Sequence, residues 1–433
     1  MKPSSILGLN SRAALFSYPY NKKRGKKVAK SKNLTNKALK KLDIPTPRIF
    51  KKFKKPSDVL EFNWDSLPAA FVVKPNKGLG GDGILVVKKK SKDGTSWITT
   101  TREKVNKSDL QLHVLDILEG AYSQRSSRDM ALIQEYVPRH KAFRKYAYRG
   151  TPDIRIIIFN YVPVMAMLRL PTRESGGRAN LHQGAIGVGV DIASGITTHA
   201  VWHGEPVNLK PGTKRKLHGI RIPHWKEILS IAARCQDIEG LGYLGVDIFL
   251  HPERGPMVVE VNSQPGLQIQ LANNAGLRKR LDRVDDLPVK TPERGVKISE
   301  ALFATHFTHL IKNEEGVKTV SVIEDVIVKG KGKKKRFKAR AKIDSGAWRT
   351  SVDRELAESL GLLVPSNILW ERQFRSALGK QKRTVIGLTY WISGRRVDTV
   401  ASVTTRKNLR FKVIIGRKDL VGFLINPRKK KEK

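Results

Sequence analysis

The chain has 433 residues, of which 39% are hydrophobic and seven are tryptophan, so its composition favours two or three globular domains and excludes wholesale disorder. Lysine and arginine number 83 against 39 acidic residues, and the net charge of +44 predicts polyanionic partners such as nucleic acid, nucleotides or acidic peptides. The single cysteine, Cys235, excludes an internal disulfide and fits a cytoplasmic location, and no apolar stretch approaches the roughly 18 residues of a membrane span.

Hydrophobic periodicity and turn signals predict an α+β unit followed by a smaller all-β unit. The predicted elements of the first unit are, in order, a helix over 34–42, strands over 70–74 and 84–88, a helix over 109–119, strands over 131–137, 154–161 and 164–170, an irregular glycine-rich segment over 182–191, a helix over 223–238, strands over 245–249 and 258–262, and a helix over 298–311. A linker is predicted at 313–317, and short β patterns dominate from about residue 318 onward.

A glycine-rich loop follows the strand that ends at Lys74. Its glycines, at 78, 80, 81 and 83, allow backbone N–H groups to approach phosphate oxygens closely. A strand follows the loop, whereas a dinucleotide-binding fingerprint requires a helix there. The pattern therefore predicts a hairpin lid over phosphates, with Lys74 in reach of one. Taken alone, a plain glycine-rich turn explains the same residues equally well.

Three oxygen-bearing side chains lie on two neighbouring predicted strands. Glu260 and Asn262 are two residues apart, so they face the same side of a strand. Asp247 lies on the preceding strand. Carboxylate and amide oxygens suit a hard cation such as Mg²⁺, and the three could hold metal against the phosphates of a nucleotide. The alternative is a strand that ends in a polar turn.

Together, these motifs resemble the ATP-grasp family, and within it the RimK-like alpha-L-glutamate ligases, over about residues 8–312. The matching segments are 73–75 with the glycine loop, 134–136, 153–155, 180–184, 245–247, 260–262 and 265–267. The resemblance implies an α+β ATP-grasp fold with a reduced N-terminal segment (1–64), a small or lid subdomain (65–137) and a large subdomain (138–312).

The resemblance also implies roles for individual residues. The predicted ATP-binding residues, which include the four loop glycines, are Lys32, Lys74, Gly78, Gly80, Gly81, Gly83, Glu135, Tyr136, Asp153, Arg178 and Asn180. Within this set Glu135 and Tyr136 would form the adenine hinge, and Asp153 would touch the ribose. Asp247, Glu260 and Asn262 would hold two Mg²⁺ ions, for which Mn²⁺ can substitute. Arg155 and Arg169 would act in catalysis, by steadying an acyl phosphate or its tetrahedral adduct.

The C-terminal part contains an Asp-Ser-Gly-Ala turn that starts at Asp344, and an apolar segment, 413–416, far downstream. This region resembles the retropepsin-like family of ATP-dependent zinc proteases, which implies a β domain over 321–427 between a linker (313–320) and a basic tail (428–433). Residues 318–427 contain no His and no Cys, which disfavours zinc held by soft ligands. Aspartic catalysis needs two carboxylates, so a catalytic Asp344 predicts a homodimer through this domain. The alternative is a non-catalytic binding domain.

The sequence therefore predicts an ATP- and Mg²⁺-dependent carboxylate–amine ligase that acts on an acidic peptide or amino acid, fused to an aspartic-type peptidase domain. A rival hypothesis is a non-catalytic adaptor that binds nucleotide and RNA or the ribosome. A kinase-like phosphotransferase ranks last, because the sequence has no His-Arg-Asp or Asp-Phe-Gly element.

Overall fold

The structure, a computed structural model, describes residues 5–78, 80–123, 127–303, 318–331, 336–376, 379–405, 410–420 and 422–427. The chain divides into two compact units, Met1–Asp286 and Leu287–Lys433. The predicted linker lies largely outside the described residues, and the predicted domain boundaries stay predictions. Within the described ranges, no helix is long and apolar enough to cross a membrane.

Short helices open the first unit. They are α1 (Leu9–Arg12), a π-helical turn (Ala13–Ser17), α2 (Tyr18–Tyr20), α3 (Lys23–Ala29) and α4 (Lys32–Lys41). The side chain of Ser31 caps α4 by accepting a hydrogen bond from the backbone N–H of Leu34. The helix therefore begins two residues before the start that hydrophobic spacing predicts.

A six-stranded antiparallel sheet, called the small sheet below, follows. Its strands are β1 (Ile49–Phe53), β2 (Phe71–Pro75), β3 (Leu85–Lys90), β4 (Trp97–Thr99), β5 (Lys104–Val105) and β6 (Ala131–Glu135), in the order β1-β6-β2-β3-β4-β5. Helices α5 (Pro56–Leu60) and α6 (Lys107–Glu119) contribute to a core that includes Trp64 and Trp97. The predicted β2–β3 hairpin is confirmed.

A seven-stranded antiparallel sheet, the large sheet, completes the unit. Its strands are β7 (Asp153–Phe159), β8 (Val162–Leu170), β9 (Ile186–Val190), β10 (Thr197–Trp202), β11 (Glu205–Pro206), β12 (Tyr243–His251) and β13 (Gly255–Asn262), in the order β11-β10-β9-β8-β7-β12-β13. Its helices are α7 (Trp225–Arg234), α8 (Ile269–Ala272) and α9 (Leu277–Asp282). Of these, α7 ends four residues before its predicted end, and a 3-10 turn (Cys235–Asp237) follows it.

The prediction of irregular structure over 182–191 was wrong, because β9 occupies Ile186–Val190. Glycine normally weakens a strand, but it also allows another backbone to approach closely. Helix α8 packs directly on β9. A Cβ at Gly189 would lie 2.3 Å from the carbonyl oxygen of Ala272. The glycine is therefore required by a close approach of two backbones, which strand propensity does not reveal.

We expect Gly189→Ala to destabilise the first unit by about 1–3 kcal/mol, because the added methyl group must push backbone away in a packed core. Urea unfolding followed by tryptophan fluorescence measures this loss. Gly8→Ala is the matched control, since a Cβ at Gly8 has no atom within 4 Å in the described structure. Equal midpoints for the two variants would contradict the close-packing explanation of β9.

The described residues of the second unit form a β-barrel with helices beside it. Its elements are α10 (Pro292–Phe303), β14 (Lys318–Val320), β15 (Ile323–Lys329), β16 (Arg336–Asp344), β17 (Ser351–Asp353), α11 (Arg354–Ser359), β18 (Ile368–Ser376), β19 (Gly379–Ile392), β20 (Arg395–Thr404), β21 (Val413–Gly416) and β22 (Phe423–Ile425). Pairing of β15 with β19 closes a six-stranded ring, β15-β16-β21-β17-β20-β19. The all-β prediction is confirmed. The C-terminal end of the helix predicted over 298–311 lies outside the described residues.

Candidate active site

One face of the large sheet carries a row of acids and arginines. Residues directly opposite each other on neighbouring strands point to the same face of a sheet. Arg155 on β7 lies opposite Asp247 on β12, and Asp247 lies opposite Glu260 on β13. Asp153 on β7 lies opposite Arg169 on β8. Strand register therefore gathers side chains that are far apart in sequence.

Both arginines hold buried carboxylates. Arg155 donates from Nε and Nη2 to the two oxygens of Asp247 at 2.7 and 2.6 Å. Arg169 donates from Nη2 to Asp247 at 2.9 Å and to Asp153 at 2.7 Å. Burial raises the pKa of Asp153, although Arg169 opposes it. Burial also acts on Asp247, but the charges of Arg155 and Arg169 outweigh it and lower the pKa, so Asp247 stays ionised.

The oxygen donors on this face fit a magnesium ion. Asp247 and Glu260 supply carboxylates, and Asn262 follows on the same face of β13. Among the described residues, no three His, Cys, Asp or Glu side chains form a group that could hold a metal ion. The protein side chains on this face therefore do not complete the coordination shell of a metal ion by themselves. Magnesium commonly takes one or two carboxylates and completes its shell with phosphate oxygens and water, which matches this donor set.

The glycine-rich loop between β2 and β3 has the backbone that its residues predict. Gly80, Gly81 and Gly83 have φ angles of 67°, 92° and 71°, values that side chains other than hydrogen rarely allow. The side chain of Asn180 donates from Nδ2 to the carbonyl oxygen of Gly80 at 2.8 Å. The lid loop is therefore held against the segment that precedes β9.

Two predicted lysines lie at the base of this loop. Lys32 donates from Nζ to the carbonyl oxygen of Gly78 at 2.8 Å. Lys74 is only 4% exposed, and no hydrogen bond or ion pair satisfies its ammonium group within the described part of the chain. Burial, with Lys32 nearby, lowers the pKa of Lys74 to about 7, while Glu260 acts in the opposite direction. A buried, unpaired cation is suited to an anionic ligand.

The predicted hinge lies at the end of β6. In the small sheet, β6 lies between β1 and β2. The carboxylate of Glu135 accepts a hydrogen bond from the backbone N–H of Arg48 at 3.0 Å and also pairs with Arg254. Burial raises the pKa of the Tyr136 hydroxyl. The adenine contact of this segment stays a prediction. The ribose contact of Asp153 also stays a prediction, and it would have to compete with Arg169 for the carboxylate oxygens.

The two sheets enclose a cleft of about 700 Å³. The predicted site residues that line it are Lys32, Lys74, Gly78, Gly80, Gly81, Glu135, Tyr136, Asp153, Arg155, Arg169, Arg178, Asn180, Asp247, Glu260 and Asn262. Gly83 is not among the lining residues, and its carbonyl oxygen instead lies 3.0 Å from Nε2 of His113. Asp344 belongs to the second unit, where it ends β16.

Sequence reasoning missed the apolar walls of the cleft. These are formed by Val72 and Val86 on the small sheet and by Phe249 on the large sheet. Phe249 lies opposite Asp153 and two residues from Asp247, so alternation along β12 places it on the same face. That alternation was visible in the sequence, but an apolar residue in a strand usually indicates core.

A small antiparallel lid sheet facing a larger antiparallel sheet across a cleft is the architecture of the ATP-grasp class, whose members use ATP and Mg²⁺ generally. A model of the family described as sugar-transfer associated ATP-grasp matches residues 11–286. The chain belongs to this family.

Individual relatives match less of the chain. A probable alpha-L-glutamate ligase from Maridesulfovibrio salexigens is 33% identical over 116 residues, which is 27% of this chain and 27% of that protein. A solved RimK domain ATP-grasp protein from Sphaerobacter thermophilus is 10% identical, covers 59% of this chain and 67% of its own, and has a TM-score of 0.34. The simian foamy virus protease is 19% identical, covers 23% of this chain and 90% of its own, and has a TM-score of 0.17.

We expect ATP affinity to fall as pH rises above about 7. Burial lowers the pKa of Lys74 to about 7, and the predicted contact with phosphate oxygens would favour its charged form, so binding would take up a proton at higher pH. Above about pH 7 the dissociation constant should rise by up to about tenfold per pH unit, until the pKa of Lys74 in the bound state is reached. Calorimetry between pH 6 and about 9 measures the slope. Arginine stays charged over this range, so Lys74→Arg should make the dissociation constant nearly independent of pH. An unchanged pH dependence in that variant would contradict the predicted contact of Lys74 with the phosphates.

Proposed function

We propose that the first unit is a carboxylate–amine ligase that activates its acid with ATP. The observation that carries the proposal is the convergence of Asp247, Glu260 and Asn262 on one face of the cleft, with the unpaired Lys74 on the small sheet that lines the same cleft. These two carboxylates and one amide oxygen would hold magnesium, and the bound ion would neutralise negative charge on a triphosphate. The buried lysine binds the triphosphate itself.

The nucleotide enters between the two sheets. Lys32, Lys74 and the backbone of the glycine loop bind its phosphates, and Arg178 and Asn180 lie near them. The hinge at Glu135 and Tyr136 takes the adenine between the apolar walls. When bound, two Mg²⁺ ions, or Mn²⁺ in their place, neutralise charge on the phosphates. Closure of the lid loop excludes water that would hydrolyse a reactive intermediate.

The reaction has two steps. An oxygen of the acid attacks the γ-phosphorus of ATP, ADP leaves, and an acyl phosphate forms. The amine then attacks the acyl carbon, loses a proton and displaces inorganic phosphate as the amide bond forms. Arg155 and Arg169 lie beside the carboxylates of this face, where their positive charges would stabilise the acyl phosphate and its tetrahedral adduct.

The substrates we propose are an amino acid and an acidic peptide, with glutamate as the first amino acid to test. The evidence is the net charge of +44 and the similarity to a probable alpha-L-glutamate ligase. The protein is incubated with ATP, Mg²⁺, each amino acid and candidate acidic acceptors. Mass spectrometry then detects the added residue, and phosphate release shows which amino acid stimulates turnover. No mass increment and no stimulated phosphate release with any amino acid would contradict the proposal.

For the second unit we propose an aspartic-type peptidase activity that trims the same acidic product. Asp344 ends β16 opposite Gly416 of β21, and its Oδ1 accepts hydrogen bonds from the backbone N–H groups of Gly346 and Ala347 at 3.0 and 3.1 Å. The unit supplies one such turn, so a second Asp344 would come from a second chain in a homodimer. A strictly monomeric protein at working concentration would contradict the peptidase.

A second candidate function is that of an adaptor that binds RNA or the ribosome in the cytoplasm without catalysis. The net charge of +44 favours it, since lysine and arginine neutralise phosphates. Steeply salt-dependent RNA binding in the absence of ATP turnover would support this alternative. ATP turnover stimulated by an amino acid would exclude a purely non-catalytic role.

A further inference from the structure

The helices that open the chain hold the segment that follows the metal-binding strands. Residues 7–22, called the N-terminal clasp below, contact the loop 263–268 that joins β13 to α8. Arg12 donates from one Nη1 to the carbonyl oxygens of Gln264 and Pro265 at 3.3 and 2.9 Å. Leu7 and the side chain of Gln270 exchange two hydrogen bonds at 2.9 and 3.1 Å. These contacts span more than 240 residues of sequence.

Asn21 makes more hydrogen bonds to the large sheet and its flanking residues than the other clasp residues named here, and it is only 2% exposed. Its Oδ1 accepts from the backbone N–H groups of Gly242 and Tyr243 at 2.9 and 3.0 Å. Its Nδ2 donates to the carbonyl oxygens of Tyr243 and Ser263 at 2.7 and 3.0 Å. One amide therefore satisfies four backbone groups, which is its full hydrogen-bonding capacity.

The two places that Asn21 joins are the start of β12 and the end of β13. Tyr243 is the first residue of β12, the strand that carries Asp247. Ser263 directly follows Asn262, the last residue of β13. The carbonyl oxygen of Ser263 also accepts a hydrogen bond from the hydroxyl of the fully buried Ser17 at 2.8 Å. The clasp thus fixes the ends of both strands that carry the oxygen donors.

The same loop reaches the arginines. A Cβ built on Gly266 would lie 3.7 Å from Nη1 of Arg155, so the loop passes beside the guanidinium group that holds Asp247. Displacement of the loop would therefore alter the carboxylate face as well as Asn262. Groups that orient metal ligands without touching the metal typically change metal affinity by about 10- to 100-fold when they are removed.

We propose that Asn21, assisted by Ser17, is a positioning residue for the divalent cation: it holds the ends of β12 and β13 in the register that makes Asp247, Glu260 and Asn262 converge. The inference rests on the proposed function, because it takes these three residues as the cation site. Asn21 touches neither the cation nor the nucleotide. Its effect should therefore appear in the affinity for metal and not in the affinity for nucleotide alone.

The test compares the full-length protein with Asn21→Ala and Ser17→Ala. Mn²⁺ binding in the presence of a non-hydrolysable ATP analogue is measured by electron paramagnetic resonance, and binding of the analogue without metal is measured by calorimetry. We expect Asn21→Ala to weaken Mn²⁺ binding about 10- to 100-fold. Ser17→Ala should act in the same direction with a smaller factor. Metal-free affinity for the analogue should change by less than about twofold, since Asn21 bonds only to the backbone of Gly242, Tyr243 and Ser263, and none of these residues lines the cleft.

Thr197→Val is the matched control. Thr197 is fully buried and exchanges two 2.8 Å hydrogen bonds with the backbone of Leu217 and Ile220, which do not line the cleft. Its loss should destabilise the same unit without changing Mn²⁺ affinity.

The outcomes separate the two proposals. Unchanged Mn²⁺ affinity in Asn21→Ala, or an equal loss of metal and nucleotide affinity, would overturn the positioning role while leaving the cation site intact. If Asn21→Ala does not fold, unchanged Mn²⁺ affinity in Ser17→Ala would overturn the role in the same way. Absence of Mn²⁺ binding in the unmodified protein would instead refute the proposed function on which the role depends.

Discussion

Replacing Glu260 with glutamine should lower Mg²⁺-dependent ATP turnover by about 100- to 1,000-fold, which is the usual cost of losing one preorganised electrostatic group in an active site. Glutamine keeps the size of the side chain and one oxygen, but it removes the negative charge that faces the cation. Glu260 lies directly opposite Asp247 across β12 and β13, so two carboxylates would be reduced to one. Phosphate release from ATP at saturating Mg²⁺ measures the loss.

Glu253→Gln provides the matched control, because Glu253 lies in the exposed turn of the same hairpin and carries the same charge. Its turnover should equal that of the unmodified protein. Circular dichroism confirms that both variants keep the fold. Retention of Mg²⁺-dependent ATP hydrolysis in a folded Glu260→Gln protein would remove the metal assignment, and the proposed ligase with it.

The convergence of the oxygen donors could be predicted because it depends on local geometry. Two residues separated by one position in a strand share a face, whatever the strand pairs with. That rule suffices for Glu260 and Asn262. The placement of Asp247 needed one further assumption, that two strands so close in sequence form a hairpin, and the structure has this hairpin.

The ion pairs on the same face could not be predicted from the sequence. The pairing of Arg155 with Asp247 joins strands that are about ninety residues apart, and it depends on β12 lying beside β7. A shift of one residue in that register would turn every side chain to the opposite face. The resemblance to ATP-grasp ligases gave Arg155 and Arg169 a role toward substrate, but it did not give their partners.

The C-terminal barrel shows the same limit. Short β patterns predicted an all-β unit, which the structure has, but strands such as Gly379–Ile392 and Arg395–Thr404 are longer than those patterns indicated. Closure of the ring depends on pairing between β15 and β19, for example Ile327 opposite Trp391, which no local pattern specifies. The buried Asp419, bonded to the hydroxyl groups of Thr350, Thr399 and Tyr390, likewise reflects contacts between distant segments.

Replacing Arg169 with methionine should destabilise the first unit by about 3–5 kcal/mol, because removing one partner leaves a buried charge uncompensated. Arg169 and Asp153 are 11% and 8% exposed at their side chains, so water cannot replace the lost partner. Burial already raises the pKa of Asp153 with Arg169 in place. Urea unfolding at neutral pH measures the loss. Arg24→Met, which breaks an exposed ion pair with Glu239 in the same unit, should cost at most about 1 kcal/mol.

Two further measurements distinguish lost charge compensation from lost packing. Burial raises the pKa of Asp153, so folding favours the neutral form of this acid. At acidic pH Asp153 is neutral and needs no compensating charge. The destabilisation caused by Arg169→Met should therefore be small there and should grow as pH rises through the pKa of Asp153. The double variant Asp153→Asn with Arg169→Met removes the stranded charge and should recover much of the stability, although Asp247 then depends on Arg155 alone. A loss that is independent of pH and unrelieved in the double variant would show that Arg169 acts mainly by filling space between the strands.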